Sequence, residues 1–200
     1  MWRKKFLVFI SLILLFIITT NSVFKQYPSA CDNYTKTKVK GEVSQEINKL
    51  LFDEINQISY DYMDITSLIN DEKTDISYIY VNSNLINGIA LNMSSKIYSI
   101  IENKTNKLGI PIGNLLGFRL LSGKGGKISF DVIPTGAITY ELKNELISSG
   151  INQTLHRIKL IFKTEILCMY PFHQCAFDLC NEIIISELLI VGKIPEVIFQ

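Results

Sequence analysis

The sequence predicts an α+β fold: an N-terminal transmembrane helix, then two helices packed on an antiparallel β-sheet. Three observations carry this expectation. Residues Phe6–Phe24 contain no charged side chain. Ile47, Leu51, Ile55 and Ile58, joined by Leu50, and then Ile86, Ala90, Met93, Ile97 and Ile101, recur at helical spacing. From Ile158 the apolar residues take alternate positions (Ile158, Leu160, Phe162, Ile166, Cys168, Tyr170), with Arg157, Lys159, Lys163 and Glu165 between them. A period of two gives a strand one buried and one wet face. Neighbouring segments repeat the pattern, which favours an antiparallel sheet.

The chain opens on a basic tail, residues 1–5, with Arg3, Lys4 and Lys5. The 19 residues from Phe6 to Phe24 approach the ~20 that a bilayer crossing needs. Basic residues ahead of the span place the N-terminus in the cytoplasm and the remainder on the far side. A retained single-pass anchor at 6–24 is the leading reading. A cleaved signal peptide competes with it, because the strongly apolar part, Phe6–Ile18, is short. Pro28-Ser29-Ala30-Cys31 is a weaker lipoprotein signal, with Pro28 in place of an aliphatic residue. Residues 25–43, polar through Cys31–Lys40, read as a juxtamembrane linker before an extracytoplasmic domain at 44–200. Ser44 is a good N-cap for the first domain helix, with Gln45 and Glu46 in its first turn.

Asp64–Asn70 and Asp75–Val81 are β-prone runs, and the polar residues 71–74 fit a hairpin loop. A second helix follows at about Asn84–Lys104, stopped by Gly109 and Pro111. No helix is expected after Lys107. Ile110–Gly117 reads as an irregular connection. Strands follow around Ile128–Val132, Ile138–Leu142, Leu155–Tyr170 and Asp178–Val191. Turns are expected at Pro134–Gly136, Ser148–Gly150 and Pro171–Ala176, and Gly192–Gln200 ends as an edge strand.

Twenty basic residues against 19 acidic ones leave a net charge of +1, which argues against a general nucleic-acid binder. Four cysteines in 200 residues do not make a disulfide scaffold. Ser122–Lys127, SGKGGK, is not a phosphate loop. Lys124 precedes glycine, Lys127 precedes isoleucine, and a strand follows instead of a helix N-terminus. Cys168, His173, Cys175 and Cys180 lie close together, but their spacing fits paired zinc ligands poorly, so no metal is predicted. A turn centred on Gln174 would set Cys168 opposite Cys180, where a cross-strand disulfide competes with buried free thiols. His156 falls on the side of Ile158 and reads as a structural group. No nucleophile is tied to it, and neither catalytic residues nor a cofactor is predicted. The polar strand entrance makes Asn152, Gln153, His156 and Arg157 the candidate partner contact.

Four stretches resemble the YunB-type family of endospore-formation proteins: IPIGNLLG at 110–117, LLSGKGGKI at 120–128, GINQTLHRI at 150–158 and ELLIVGKIPEVI at 187–198. Gly126 stands where that pattern has proline. The resemblance implies a sporulation role in the mother-cell membrane of a spore-forming Firmicute, with no established catalytic residue or cofactor. The expected function is a non-enzymatic structural or partner-binding component, with other sporulation envelope proteins as partners. Two alternatives make distinct demands. Binding of a lipid or envelope ligand needs an apolar crevice near Leu115, Leu116 and Phe118. An envelope hydrolase needs His156 to meet Asp131, Glu141 or a cysteine.

Overall fold

A computed structural model describes residues 2–57, 62–71, 76–104, 108–115, 119–150 and 152–191. It divides into two compact units: Met1–Glu42, Ile101–Thr135 and Ile166–Phe177 form the first, and Val43–Ile100, Gly136–Glu165 and Asp178–Gln200 the second.

The N-terminal helix α1 spans Trp2–Tyr34 and passes through a π-turn, Thr35–Val39, into α2, Lys40–Gln57. Its apolar start is long and apolar enough to cross a membrane. From Phe6 to Ile18 the large apolar side chains have no protein cover; Phe6 is 64% and Phe16 68% exposed. Such a surface is stable only against lipid or another apolar partner.

The expected linker at Cys31–Lys40 and the helix start at Ser44 are both corrected. The helix runs straight through, Pro28 included. Cys31, Thr35, Val39, Val43, Ile47 and Leu51 are all buried, one every four residues. Strict four-residue spacing overshoots a 3.6-residue turn, and the wider π-turn takes up part of the excess. Ser44 caps nothing. Its carbonyl and hydroxyl instead accept from the Asn181 amide at 3.3 and 2.9 Å, and Asn48 Oδ1 accepts from the same amide at 2.6 Å.

In the second unit a short turn of helix, α3 (Tyr62–Ile65), leads into the hairpin β1 (Thr66–Asp71) and β2 (Ile76–Val81), antiparallel from Thr66↔Val81 to Asp71↔Ile76. Ile58 and residues 72–74 of the expected loop lie outside the described residues, and Asp71 is strand. Helix α4, Ser83–Glu102, forms as predicted, and Ile86, Ala90, Met93, Ile97 and Ile101 are all buried. It ends well before Gly109, which lies in a strand.

That strand is β3, Leu108–Pro111, and it opens the first unit's part of the sheet. A single helical turn, α5 (Ile112–Leu115), and a 3-10 turn, Arg119–Leu121, follow. The expectation of an irregular connection is therefore corrected over 110–115, 116–117 lying outside the described residues, and so is that of no later helix. β4, Lys127–Pro134, pairs antiparallel with β3 through Gly109↔Ser129 and with the far end of a long strand through Asp131↔Met169 to Pro134↔Ile166. That long strand, β6, spans Gln153–Tyr170. Ile158, Leu160, Phe162, Ile166, Cys168 and Tyr170 are buried on one face, as their alternation requires.

In the second unit β5, Thr139–Gly150, pairs antiparallel with β6 from Thr139↔Lys163 to Gly150↔Gln153. Ser148–Gly150 is thus strand. The turn falls one step later, where Asn152 takes φ 56°, a conformation asparagine tolerates. β7, His173–Val191, also pairs with β6. Only Pro171 and Phe172 separate them, so the expected turn at Pro171–Ala176 is corrected. Proline followed by a residue at φ 65° is the pattern of a type II turn. The outer face of β5–β7 is ionic: Glu145 pairs with Lys143 (3.1 Å) and Lys159 (3.2 Å), and Lys163 pairs with Glu141 (2.6 Å). Those lysine contacts hold both carboxyls below their ordinary range. Gly192–Gln200 lies outside the described residues.

Candidate functional site

The tight Pro171–Phe172 turn decides which side chains meet in the first unit. It brings His173 and Cys175, two residues apart and therefore on one face of β7, against Cys31 and Asp32 at the end of α1 and Thr35 at the start of the π-turn. His173 Nε2 lies 2.9 Å from Asp32 Oδ1. Thr35 Oγ1 is the hub of a buried polar cluster. It donates to Cys31 O (2.9 Å) and lies 2.6 Å from the Tyr170 hydroxyl and 3.2 Å from Cys175 Sγ. Cys175 also lies near enough to Cys168 for each thiol to influence the other's ionisation. Phe130 stacks on Tyr170 with ring centres 4.4 Å apart and meets Tyr34 edge-on at 6.2 Å. The Tyr34 hydroxyl donates to Gly109 O at 2.9 Å, tying α1 to β3. The π-turn begins at Thr35 itself, and such turns inside helices concentrate at functional positions.

Burial dominates the thiols' chemistry. It pushes Cys168 up to about 12 and Cys31 up to about 11, and raises Cys175 as well. Tyr170 is raised by burial in turn. That upward shift favours the protonated form of Cys31, Cys168 and Cys175 and makes them poor nucleophiles.

Of the two alternatives for Cys168, a bridge to Cys180 or a free thiol, the structure has the free thiol: all four cysteines are free, Cys168 is buried and Cys180 is exposed. The bridge depended on a turn centred on Gln174, and moving the turn to Pro171–Phe172 gives Cys168 a different partner, Cys175. Asp32 is the member no sequence pattern singles out, because it lies 141 positions from His173. Its only trace was the four-residue stripe through Cys31, Thr35 and Val39, which marks its neighbours as helical and packed.

Thr35→Val removes the hydroxyl and leaves the buried Tyr170 oxygen without that partner. A loss of about 1–3 kcal/mol is expected in denaturant unfolding, whereas Thr35→Ser retains most of the stability.

The candidate partner residues are dispersed. In the second unit Asn152 is exposed at the hairpin turn, and Gln153 is half-buried beside it. His156 is 2% exposed on the inner face of β6, and burial lowers its pKa. Arg157 faces outward and donates to Glu187 at 2.7 Å. In the β5–β6 register His156 stands opposite Leu146, and Glu141 opposite Ile161. For the ligand-binding alternative, Leu115 is buried, while Leu116 and Phe118 lie outside the described residues. A groove of the first unit, ≈ 750 Å³, has a mixed lining that includes Gln26, Ala30, Asn33, Tyr34, Asn114 and Ser122.

The two glycine-bearing motifs clasp each other. Ile112 N–H donates to Gly126 O and Gly113 N–H to Lys124 O, each at 2.9 Å. Asn114 Oδ1 accepts from Ser122 Oγ (3.1 Å) and Gly123 N–H (2.7 Å). SGKGGK therefore serves as a structural turn against IPIGN.

Residues 107–197 match the family model described as Sporulation protein YunB. No curated protein and no solved structure matches the chain. The matched span takes in β3 through β7, with the motif clasp and the β-strand half of the thiol cluster. Residues 1–106, with Asp32 and Thr35, lie outside it.

Proposed function

We propose that the chain is a YunB-type sporulation protein, a non-enzymatic membrane-anchored component of endospore formation. The match of 107–197 to the sporulation family carries this reading. The uncovered apolar helix at the N-terminus supports the membrane address. Arg3, Lys4 and Lys5 ahead of that helix favour a cytoplasmic N-terminus and an extracytoplasmic α+β region, in the mother-cell membrane. The exposed Asn152 turn is the contact offered to another envelope protein, with Gln153 beside it; His156 and Arg157 support the strand beneath.

Deleting the gene in its spore-forming host is expected to lower the yield of heat-resistant spores. The full chain restores it, and a chain lacking 1–24 does not. Normal spore yield in the deletion strain would remove the sporulation role. Protection of the N-terminus and digestion of the C-terminal region by protease added to intact protoplasts is the expected topology; the reverse pattern would overturn the orientation.

A further inference from the structure

We propose that Asp32, His173 and Cys175 form a binding site for a divalent transition-metal ion of the zinc class. One oxygen, one nitrogen and one sulfur donor atom from these residues lie within 4.8 Å of one another. Tetrahedral zinc, with bonds of about 2.0–2.3 Å, places its ligand atoms about 3.3–3.8 Å apart. Small side-chain rotations close that gap, because two of the atoms already touch across the His173–Asp32 hydrogen bond at 2.9 Å. A mixed carboxylate, imidazole and thiol set suits zinc, whose ligands are borderline between hard and soft. A bound dication is neutralised by one carboxylate and one thiolate, so the site gains no uncompensated charge.

The donors stand on rigid elements. Asp32 sits in α1 one turn before Thr35, and His173 and Cys175 open β7. Thr35 Oγ1, 3.2 Å from Cys175 Sγ, orients the sulfur and is itself fixed by Tyr170. Outer-shell contacts of this kind aim the ligands of metal sites. All three donors are half-buried. They border a cavity of ≈ 280 Å³ that Thr35, Lys36 and Phe177 also line, with room for water as fourth ligand. Three protein ligands with an open position differ from the closed set of a purely structural zinc site. On binding, the metal–sulfur bond forms as the Cys175 S–H proton leaves to solvent; no oxidation is involved.

The test is a titration of the full chain in detergent, its thiols kept reduced with a phosphine and any affinity tag removed, with Co2+ and then Zn2+. One equivalent of Co2+ should give a thiolate-to-cobalt charge-transfer band that Zn2+ bleaches. Cys175→Ser should abolish the band, and His173→Gln and Asp32→Asn should each weaken Co2+ by about 100-fold or more, beyond the 10–100-fold typical of outer-shell changes. Cys180→Ser, altering an exposed thiol, should leave band and affinity unchanged. Far-UV circular dichroism confirms that each variant is folded. Failure to bind cobalt, a band that survives Cys175→Ser, or full affinity in folded His173→Gln would overturn the proposal. The sporulation and topology assays are independent of these outcomes.

Discussion

Gly113→Ala is expected to cost about 3 kcal/mol or more, at or above the upper end of ordinary overpacking. A Cβ on Gly113 would lie 1.7 Å from Leu121 O, 2.7 Å from Leu121 C and 2.8 Å from Lys124 O. All three are backbone atoms, so no side-chain rotation relieves the clash. The 112–115 turn must withdraw from the 121–126 loop, breaking the paired bonds Ile112 N–H to Gly126 O and Gly113 N–H to Lys124 O. Denaturant unfolding of the full chain in detergent should show a large drop in midpoint. Gly88→Ala supplies the opposite sign: nothing lies within 4 Å of its added Cβ, and alanine in a helix interior is favoured by about 0.5–1 kcal/mol. Equal behaviour of the two variants would mean that the IPIGN–SGKGG clasp does not hold the first unit.

Leu160→Asp is the second large effect. Leu160 is fully buried at the middle of β6, opposite Leu142. An ionised carboxylate there has apolar neighbours, and burying a polar group without a hydrogen bond alone costs about 2–7 kcal/mol, more for a charge. Against a typical stability of about 5–15 kcal/mol, such a loss takes most or all of the fold, and the variant is expected in the insoluble fraction. Lys163→Gln, three positions along on the outer face, removes one partner of the 2.6 Å Glu141 pair and should leave the unfolding midpoint nearly unchanged. A soluble, cooperatively folded Leu160→Asp would mean that the inner face of β6 is wet.

The alternation along β6 was legible because burial leaves a local trace. A strand with one dry side must place an apolar residue at every second position, and Ile158 through Tyr170 do so. The stripe of α4 was legible for the same reason at helical period. The continuity of the helix across residues 25–43 was less so. Its polar residues and Pro28 suggested a break, while the buried positions there include Thr35 and Cys31, which composition does not mark as core.

The turn positions were the weakest inference. Ser148-Ser149-Gly150 carries turn-forming residues yet continues the strand, and Asn152 takes the turn conformation instead. Phe172 adopts φ 65°, a value that a bulky residue rarely takes and that its identity does not announce. Moving the Pro171–Ala176 turn forward to Pro171–Phe172 exchanged Cys180 for Cys175 as the partner of Cys168.

The sequence alone determined the apolar N-terminal span, the stripe of α4 with Ile47 and Leu51 of the helix before it, the long two-faced strand and the stretches within the span that matches the sporulation family, because each is a pattern of neighbours along the chain. Only the tertiary structure decided that Asp32 meets His173 and Cys175, that Thr35 joins Tyr170, and that IPIGN grips SGKGG. These contacts join residues far apart in the chain, and a long-range contact imposes no period on the residues around it.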